Sequence, residues 1–346
     1  MSDAYPEADA REGCSHPRET FDLLGHEKAE ALFHAARANG RVHHAWMITG
    51  PSGVGKATLA YRMARALLGG RSLLEGGLDI PANDPVAQRI ASQGHGNLRV
   101  LRREYDFKTK KVPAEIKVDQ ARQFVRFFQE TPSEQDARRV GIIDKVDDMN
   151  ASSANAILKI IEEPPERGVV IILADAPGRL LPTIRSRCVN IDLRPVADAQ
   201  LRPWLAARTE LGEPFDKVLW LSRGSPGRAM AYANALDSVV ASLSRVADIM
   251  ASSASRGNDV VLAGKFSGAK VVEERELFWS GAQDLLASAA RASGGEVWDA
   301  PFARPDTSRD WQSVWAEAIA REKIEADINM DARTSLLDML GRVRAA

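Results

Sequence analysis

Short apolar runs alternate with amphipathic segments in the first part of the chain, as far as Pro195. The two strongest runs, Val140–Ile143 and Val169–Leu173, are rich in β-branched residues and bracket a segment whose apolar positions have helical spacing. Such runs are typical of strands buried on both faces, and a helix between two of them is typical of a parallel crossover. Further strands are predicted at three places, His43–Thr49, Asn97–Arg103 and Ile116–Val118. The pattern therefore predicts an α/β domain with a parallel sheet.

Beyond Pro195 the pattern contains no convincing strand, and helical spacing dominates to the last residue. Breaks rich in glycine and proline divide this part at residues 212–214, 224–227, 294–295 and 301–305. We therefore predict four regions: a disordered N-terminal arm over residues 1–18, an α/β domain over 19–195, a small helical domain over 196–240 and a helical C-terminal domain over 241–346.

Composition narrows the classes of function. Lys and Arg total 46 against 47 acidic residues, so no global positive field attracts the chain to nucleic acid or to an acidic membrane. Only two cysteines occur, Cys14 and Cys188, which makes a disulfide framework or a cysteine-based zinc site an unfavoured interpretation. The sequence has no apolar run long enough to span a membrane and no signal-peptide pattern. These features predict a cytoplasmic protein.

A glycine-rich loop at residues 50–56 lies between a predicted strand and a predicted helix and matches the pattern G-x-x-x-x-G-K. The residues that would contact phosphate are Gly50, Gly53, Gly55 and Lys56. The hydroxyl that normally ligates Mg²⁺ is missing, because Ala57 stands in its place. Thr58 lies roughly 100° further around the helix and is a poor substitute. The loop predicts a weak or vestigial ATP/ADP site, with a ligand-free strand-to-helix turn as the alternative.

Four stretches occur in an order that closely resembles bacterial clamp-loader subunits of the AAA+ class. They are the loop with its preceding strand (His43–Lys56), the strand end at Asp144, the stretch Asn155–Pro165 and the stretch Leu180–Cys188. The resemblance implies a RecA-like P-loop (AAA+) α/β module with a parallel sheet. It further implies a small helical lid and an all-α C-terminal collar domain that oligomerises.

Asp144 closes the strand Val140–Ile143, where an acidic side chain can reach a metal-bound phosphate at the carboxyl edge of the sheet. By the resemblance this is the Walker B element, which in active AAA+ enzymes continues with a glutamate that polarises water. The next residue here is Lys145, which cannot act as that base. Asp147 and Asp148 are interpreted as a solvated turn. Ala57 and Lys145 together predict that this chain does not hydrolyse ATP efficiently.

Arg187 lies in the tripeptide Ser186-Arg187-Cys188, which matches the family motif without a departure. In the family this motif supplies an arginine finger to the ATP bound by a neighbouring subunit. Such a finger neutralises charge that develops on the transferred phosphoryl group. The alternative is a salt-bridged surface arginine. Cys188 is interpreted as a small buried residue rather than a nucleophile.

The other family elements are less complete. Ala174, followed by Asp175, stands where the family often has Ser or Thr, and Arg228 is the candidate arginine of the sensor 2 helix. The zinc module that is common in these subunits would fall at about residues 70–96, which contain no cysteine, so no zinc is expected.

A complete finger beside an impaired ATP site resembles the delta-prime branch of the DNA polymerase III clamp loader. The implied role is a stator that assembles with gamma/tau and delta subunits and acts indirectly on the beta sliding clamp and primed DNA. One alternative is a catalytically active, gamma/tau-like AAA+ ATPase that uses Thr58 and Asp147. Another is a DNA-binding module built on the basic loop Lys108–Lys111, for which a solvated loop is the favoured interpretation.

Overall fold

The computed structural model describes residues 7–10, 13–74, 77–130, 138–175, 182–251, 259–267, 271–328 and 332–345. Part of the predicted arm (1–6, 11 and 12) and the first two residues of the Leu180–Cys188 stretch lie outside the described residues. The chain divides into two compact units, one of residues 1–200 with 225–227 and one of residues 201–224 with 228–346.

The first unit contains a five-stranded parallel sheet with strand order β2-β3-β4-β1-β5. The strands are β1 (Ala45–Thr49), β2 (Leu98–Leu101), β3 (Arg139–Ile143), β4 (Gly168–Ala174) and β5 (Val189–Asp192). The two strongest apolar runs form the neighbouring strands β3 and β4, so the predicted parallel sheet is confirmed. Thr49, the last residue of β1, pairs with Ala174 of β4, which brings the glycine loop beside the end of β4.

Helices cover both faces of this sheet. They are α1 (Glu27–Ala38), α2 (Lys56–Leu67), α3 (Pro85–Ala91), α4 (Val118–Gln129), α5 (Ala151–Glu162) and the short α6 (Pro182–Arg185). Side chains of α1, α2 and α3 pack with Ile142 on one face, and those of α4 and α5 pack with Ile143 on the other. Successive strand residues thus enter opposite cores, as the pleat requires.

The strand expected at Ile116–Val118 does not form. Ile116 makes one isolated bridge to Met149, and α4 begins at Val118. The side-chain oxygen of Gln120 accepts a hydrogen bond from the backbone N–H of Lys117 at 2.9 Å, which satisfies a donor at the helix start. With this capping, α4 includes Val118, the last residue of the expected strand.

In the second unit, all regular structure of the described residues is helical. The helices from residue 198 onward are α7 (Asp198–Ala206), α8 (Phe215–Ser222), α9 (Pro226–Asn234), α10 (Ala241–Ala251), α11 (Asp259–Lys265), α12 (Val272–Ser293), α13 (Trp311–Ile328) and α14 (Ala332–Ala345), with a π-helical turn at Leu236–Val240. One hydrophobic core extends from Leu205 to Val343 and includes Tyr232, Phe278 and Trp311. Residues predicted as lid and as C-terminal domain therefore share a core. Among the described helices, none combines the length and apolar character of a membrane span.

The described residues of the N-terminal arm make polar contacts with the first unit. The carboxylate of Asp9 pairs with the guanidinium of Arg102, and Nε2 of His16 lies 3.3 Å from Asp9 and 3.2 Å from Glu7. Burial opposes ionisation of Asp9, but hydrogen bonds from His16 and Arg102 hold its pKa below the usual value. Because Arg18 also pairs with Glu7, this acidic cluster is neutralised internally and is an ion-pair anchor rather than a metal site.

Candidate functional site

The glycine loop has the strand–loop–helix context that the sequence predicts, since it connects β1 to α2. Gly50 and Gly55 have φ angles of +144° and +117°, where a side chain is strained. A Cβ on Gly50 would lie 2.3 Å from the carbonyl oxygen of Leu193, and one on Gly55 would lie 2.8 Å from Cδ1 of Leu23. Gly53 also has a positive φ, +78°. All three positions therefore favour glycine for its conformation, and Gly50 also requires it for space.

Lys56 is buried, with 8% of its surface exposed. Its ammonium group donates hydrogen bonds to the carbonyl oxygens of Gly50 at 2.8 Å and Pro51 at 2.9 Å. The same Nζ lies 2.6 Å from Oδ1 of Asp175. The lysine that would bind phosphate is thus surrounded by three oxygen atoms of the protein itself.

Asp175 directly follows β4, and its carboxylate contacts both Lys56 and Lys145. Its Oδ2 lies 2.8 Å from Nζ of Lys145, and its backbone N–H donates to Oδ2 of Asp147 at 2.8 Å. Burial opposes ionisation of the Asp175 carboxyl, but Lys56 and Lys145 lower its pKa below the usual value. Burial likewise opposes protonation of Lys145, whereas Asp175 raises its pKa. Asp175 is therefore a carboxylate bound by two ammonium groups.

Sequence reasoning missed this role of Asp175, which it treated as part of an incomplete family element. One signal was available: an acidic residue at the carboxyl end of a central strand, next to the strand that leads into the loop. It could not predict that Lys145, two residues after the end of β3, would also reach this carboxylate.

The donor set around Asp144 does not fit a Mg²⁺ ion. Burial, assisted by the negative charge of Asp9, raises the pKa of Asp144 to about 7. Ala57 has no ligand atom in its side chain, and Thr58 lies one residue further along α2. The ammonium group of Lys145 follows Asp144 directly. Mg²⁺ prefers oxygen ligands, and the two positions beside Asp144 provide a methyl group and an ammonium cation instead.

Arg187 lies between α6 and β5, with 43% of its side chain exposed. Its Nη1 donates to the carbonyl oxygen of Thr183 at 3.1 Å, and its Nη2 lies 3.3 Å from Oε1 of Glu162. The neighbouring Cys188 is partly buried and packs against the hydrophobic core that includes Ile157 of α5. Burial raises the pKa of its thiol to about 12. An exposed guanidinium can reach another molecule, whereas this thiol is a poor nucleophile at neutral pH.

Arg228 belongs to the second unit, where it forms an internal ion pair. Its Nη2 lies 2.9 Å from Oδ2 of Asp284 on α12 and 3.5 Å from the hydroxyl of Tyr232. Burial opposes its charge, but Tyr232 and Asp284 raise its pKa. The guanidinium of this candidate sensor residue is thus held by residues of its own unit.

The basic loop Lys108–Lys111 is exposed and closed by an antiparallel bridge between Asp106 and Lys111. Lys117 lies 3.1 Å from Asp106 and partly neutralises it. Of the nearby arginines, Arg102 pairs with the arm and Arg103 lies 2.7 Å from Asp148. Carboxylates of the same chain therefore neutralise part of the positive charge in and around this loop.

Comparison with known proteins identifies the class. A family model described as "DNA polymerase III, delta subunit" matches residues 25–197, which include the glycine loop, Asp144 and Arg187. The chain belongs to this family, as the resemblance to clamp-loader subunits predicted.

Particular relatives are subunits of the same polymerase. The chain is 34% identical to DNA polymerase III subunit delta' of Pseudomonas aeruginosa over 199 residues, which are 57% of this chain and 58% of that protein. It is 30% identical to subunit delta' of Bacillus subtilis over 45% of this chain and 44% of that protein. Subunit gamma/tau of Mycobacterium tuberculosis is 30% identical over 55% of this chain and 31% of that protein. The chain thus spans about half the length of the two delta' relatives and about a third of the gamma/tau relative.

Proposed function

We propose that the chain is a delta-prime-type subunit of a DNA polymerase III clamp loader. In this proposal it acts as a stator and donates Arg187 to the ATP site of a neighbouring gamma/tau subunit. The observation that carries the proposal is the contrast between two parts of one unit. The chain's own loop is bound to Asp175 and lacks a Mg²⁺ donor set, whereas Arg187 is exposed on a family motif.

The finger would act by charge. When a neighbour's ATP approaches, the guanidinium exchanges Glu162 for phosphate oxygens, which it can bind through two parallel N–H donors. Neutralising the charge that develops on the transferred group accelerates hydrolysis by about 10³–10⁵-fold in systems with such a finger. Arg187 supplies no base and no metal ligand, so it assists only a site that another subunit completes.

The remaining parts of the proposal concern assembly. The helical second unit would form the collar contacts with gamma/tau and delta subunits, with a lid formed by its first helices. The beta sliding clamp and primed DNA would be reached through the assembled loader in the cytoplasm. Arg228 would stabilise the lid, and any bound ATP or ADP would be held weakly.

The test is a loader reconstituted with Arg187→Ala in this chain. We expect the subunits to assemble normally and the ATPase activity stimulated by DNA and clamp to fall. Arg185→Ala is the matched control, because Arg185 is an exposed arginine two residues away. Undiminished stimulated activity in the Arg187→Ala loader would remove the finger role.

A second candidate function is an active gamma/tau-like ATPase, which the similarity to gamma/tau subunits supports. It requires Thr58 and Asp147 to replace the missing groups. Asp147 already accepts a hydrogen bond from the backbone of Asp175, which favours a structural role. Mg²⁺-dependent turnover by the purified chain that is abolished by Lys56→Ala would favour this candidate instead.

A further inference from the structure

Two lysines hold one carboxylate at the glycine loop. Lys56 contacts Oδ1 of Asp175 at 2.6 Å and Lys145 contacts Oδ2 at 2.8 Å. The backbone of Asp175 is anchored separately, because its N–H donates a hydrogen bond to Oδ2 of Asp147 at 2.8 Å. Two ammonium groups on separate oxygens of one anion form a cradle that is complementary to the oxygens of a phosphoryl group.

Lys145, the second lysine, lies next to a residue that would otherwise be expected to bind a metal ion. Lys145 follows the strand-end Asp144, and Ala57 replaces the hydroxyl ligand. In a phosphate site, Mg²⁺ neutralises negative charge and orients the terminal oxygens. A fixed ammonium ion can also neutralise the negative charge of a phosphate. Its own positive charge opposes entry of a divalent cation into the same space.

We propose that Lys56 and Lys145 form a metal-independent subsite for the terminal phosphate of a nucleoside di- or triphosphate, and that Asp175 fills this subsite in the free chain. Binding exchanges the carboxylate of Asp175 for the phosphate, with both lysines keeping their protons. No bond is broken, and the site binds nucleotide without hydrolysing it.

Two consequences distinguish this subsite from an ordinary glycine-loop site. Nucleotide affinity does not rise when Mg²⁺ is added, since free nucleotide carries more negative charge than its Mg²⁺ complex. Asp175 competes with the nucleotide, so the binding-competent fraction of the chain is small. The inference concerns the loop of this chain alone and is independent of the Arg187 finger, so either can fail without the other.

The experiment measures ATP and ADP binding to the purified full chain by calorimetry, once with EDTA and once with excess Mg²⁺. Asp175→Asn keeps the shape of the side chain and removes its charge. We expect it to tighten binding in EDTA by about tenfold or more, because the competent fraction rises. Adding Lys145→Met to Asp175→Asn should abolish this gain. Adding Lys110→Met instead, which removes an exposed lysine of the basic loop, should leave it intact.

Inorganic tripolyphosphate provides a second readout on the unaltered chain. At millimolar concentration it should raise the melting temperature more in EDTA than in Mg²⁺, whether or not the variants fold. The inference is overturned if a folded Asp175→Asn chain binds nucleotide no more tightly than the unaltered chain, or if the double variant with Lys145→Met still binds more tightly. It is also overturned if tripolyphosphate raises the melting temperature more in Mg²⁺ than in EDTA. No thermal shift in either buffer would overturn it as well.

Discussion

The guanidinium group of Arg187 lies 3.3 Å from the carboxylate of Glu162, the last residue of α5. Both side chains are about two-fifths exposed, at 43% and 44%. Ion pairs this exposed contribute roughly 0–1 kcal/mol, because water and salt screen them. The pair therefore positions the arginine at low energetic cost and can be exchanged for a phosphate group.

From this we predict that Glu162→Gln changes the free energy of unfolding by less than about 1 kcal/mol. It should also preserve the stimulated ATPase activity of a reconstituted loader. Urea denaturation and a steady-state ATPase assay check the two parts. Loss of loader activity without loss of stability would mean that Glu162 holds Arg187 in the active conformation.

The partly buried acid Asp144 predicts a pH dependence of stability. Its pKa in the folded chain, about 7, lies above the ordinary value of 3.8, so the folded state binds a proton more tightly than the unfolded state. The resulting stabilisation is complete below the unfolded pKa and is lost as pH rises through about 7. Asp144→Asn lacks this titration. The compared quantity is the free energy of unfolding of Asp144→Asn minus that of the unaltered chain. We expect this difference to be larger at pH 8 than at pH 4 by on the order of 2–4 kcal/mol.

Denaturant titrations across that pH range measure the difference. A constant gap between the two proteins would show that Asp144 ionises normally. Asp106→Asn is a suitable control, since Asp106 lies beside the basic loop and its pKa is lowered rather than raised.

A tight aromatic contact predicts that Gly141→Ala is destabilising. A Cβ at this position of β3 would lie 2.4 Å from the ring of Phe124 and 2.8 Å from that of Phe128. Overpacking of this kind costs about 1–3 kcal/mol. Replacing Phe124 with leucine in the same chain should recover part of the loss. Additive effects of the two substitutions in urea denaturation would contradict the packing described for this face.

The ion pair between Arg228 and Asp284 predicts a coupled effect in the second unit. Arg228→Gln should lower the free energy of unfolding by about 1–3 kcal/mol, because a partly buried carboxylate loses its nearest partner. Arg223→Gln should cost less, since Arg223 lies further from Asp284, at 3.4 Å instead of 2.9 Å. A double-mutant cycle with Asp284→Asn measures the coupling. Independence of the two substitutions would leave Arg228 free for a role at a nucleotide.

The sequence predicted the central strands well, because β-branched runs such as Val140–Ile143 are buried on both faces and stand out as continuous apolar stretches, but it missed the edge strand β5. It predicted the glycine loop for a similar reason, since strand, loop and helix are contiguous. The bridge from Lys56 through Asp175 to Lys145 was not predictable, because it joins the ends of three strands whose order is set by tertiary packing. Ile116–Val118 was mistaken for a strand because helix capping by Gln120 leaves no apolar pattern.

In the proposed function, this chain activates a neighbour's ATP site and does not hydrolyse ATP at its own glycine loop. The most direct test of this function compares two loaders that differ only in this chain, one with Lys56→Ala and one with Arg187→Ala. Single-turnover ATP hydrolysis should be unchanged by Lys56→Ala. In the Arg187→Ala loader, hydrolysis at the site facing this chain should be slowed by about 10³-fold or more. Slow hydrolysis with Lys56→Ala and normal hydrolysis with Arg187→Ala would contradict the account.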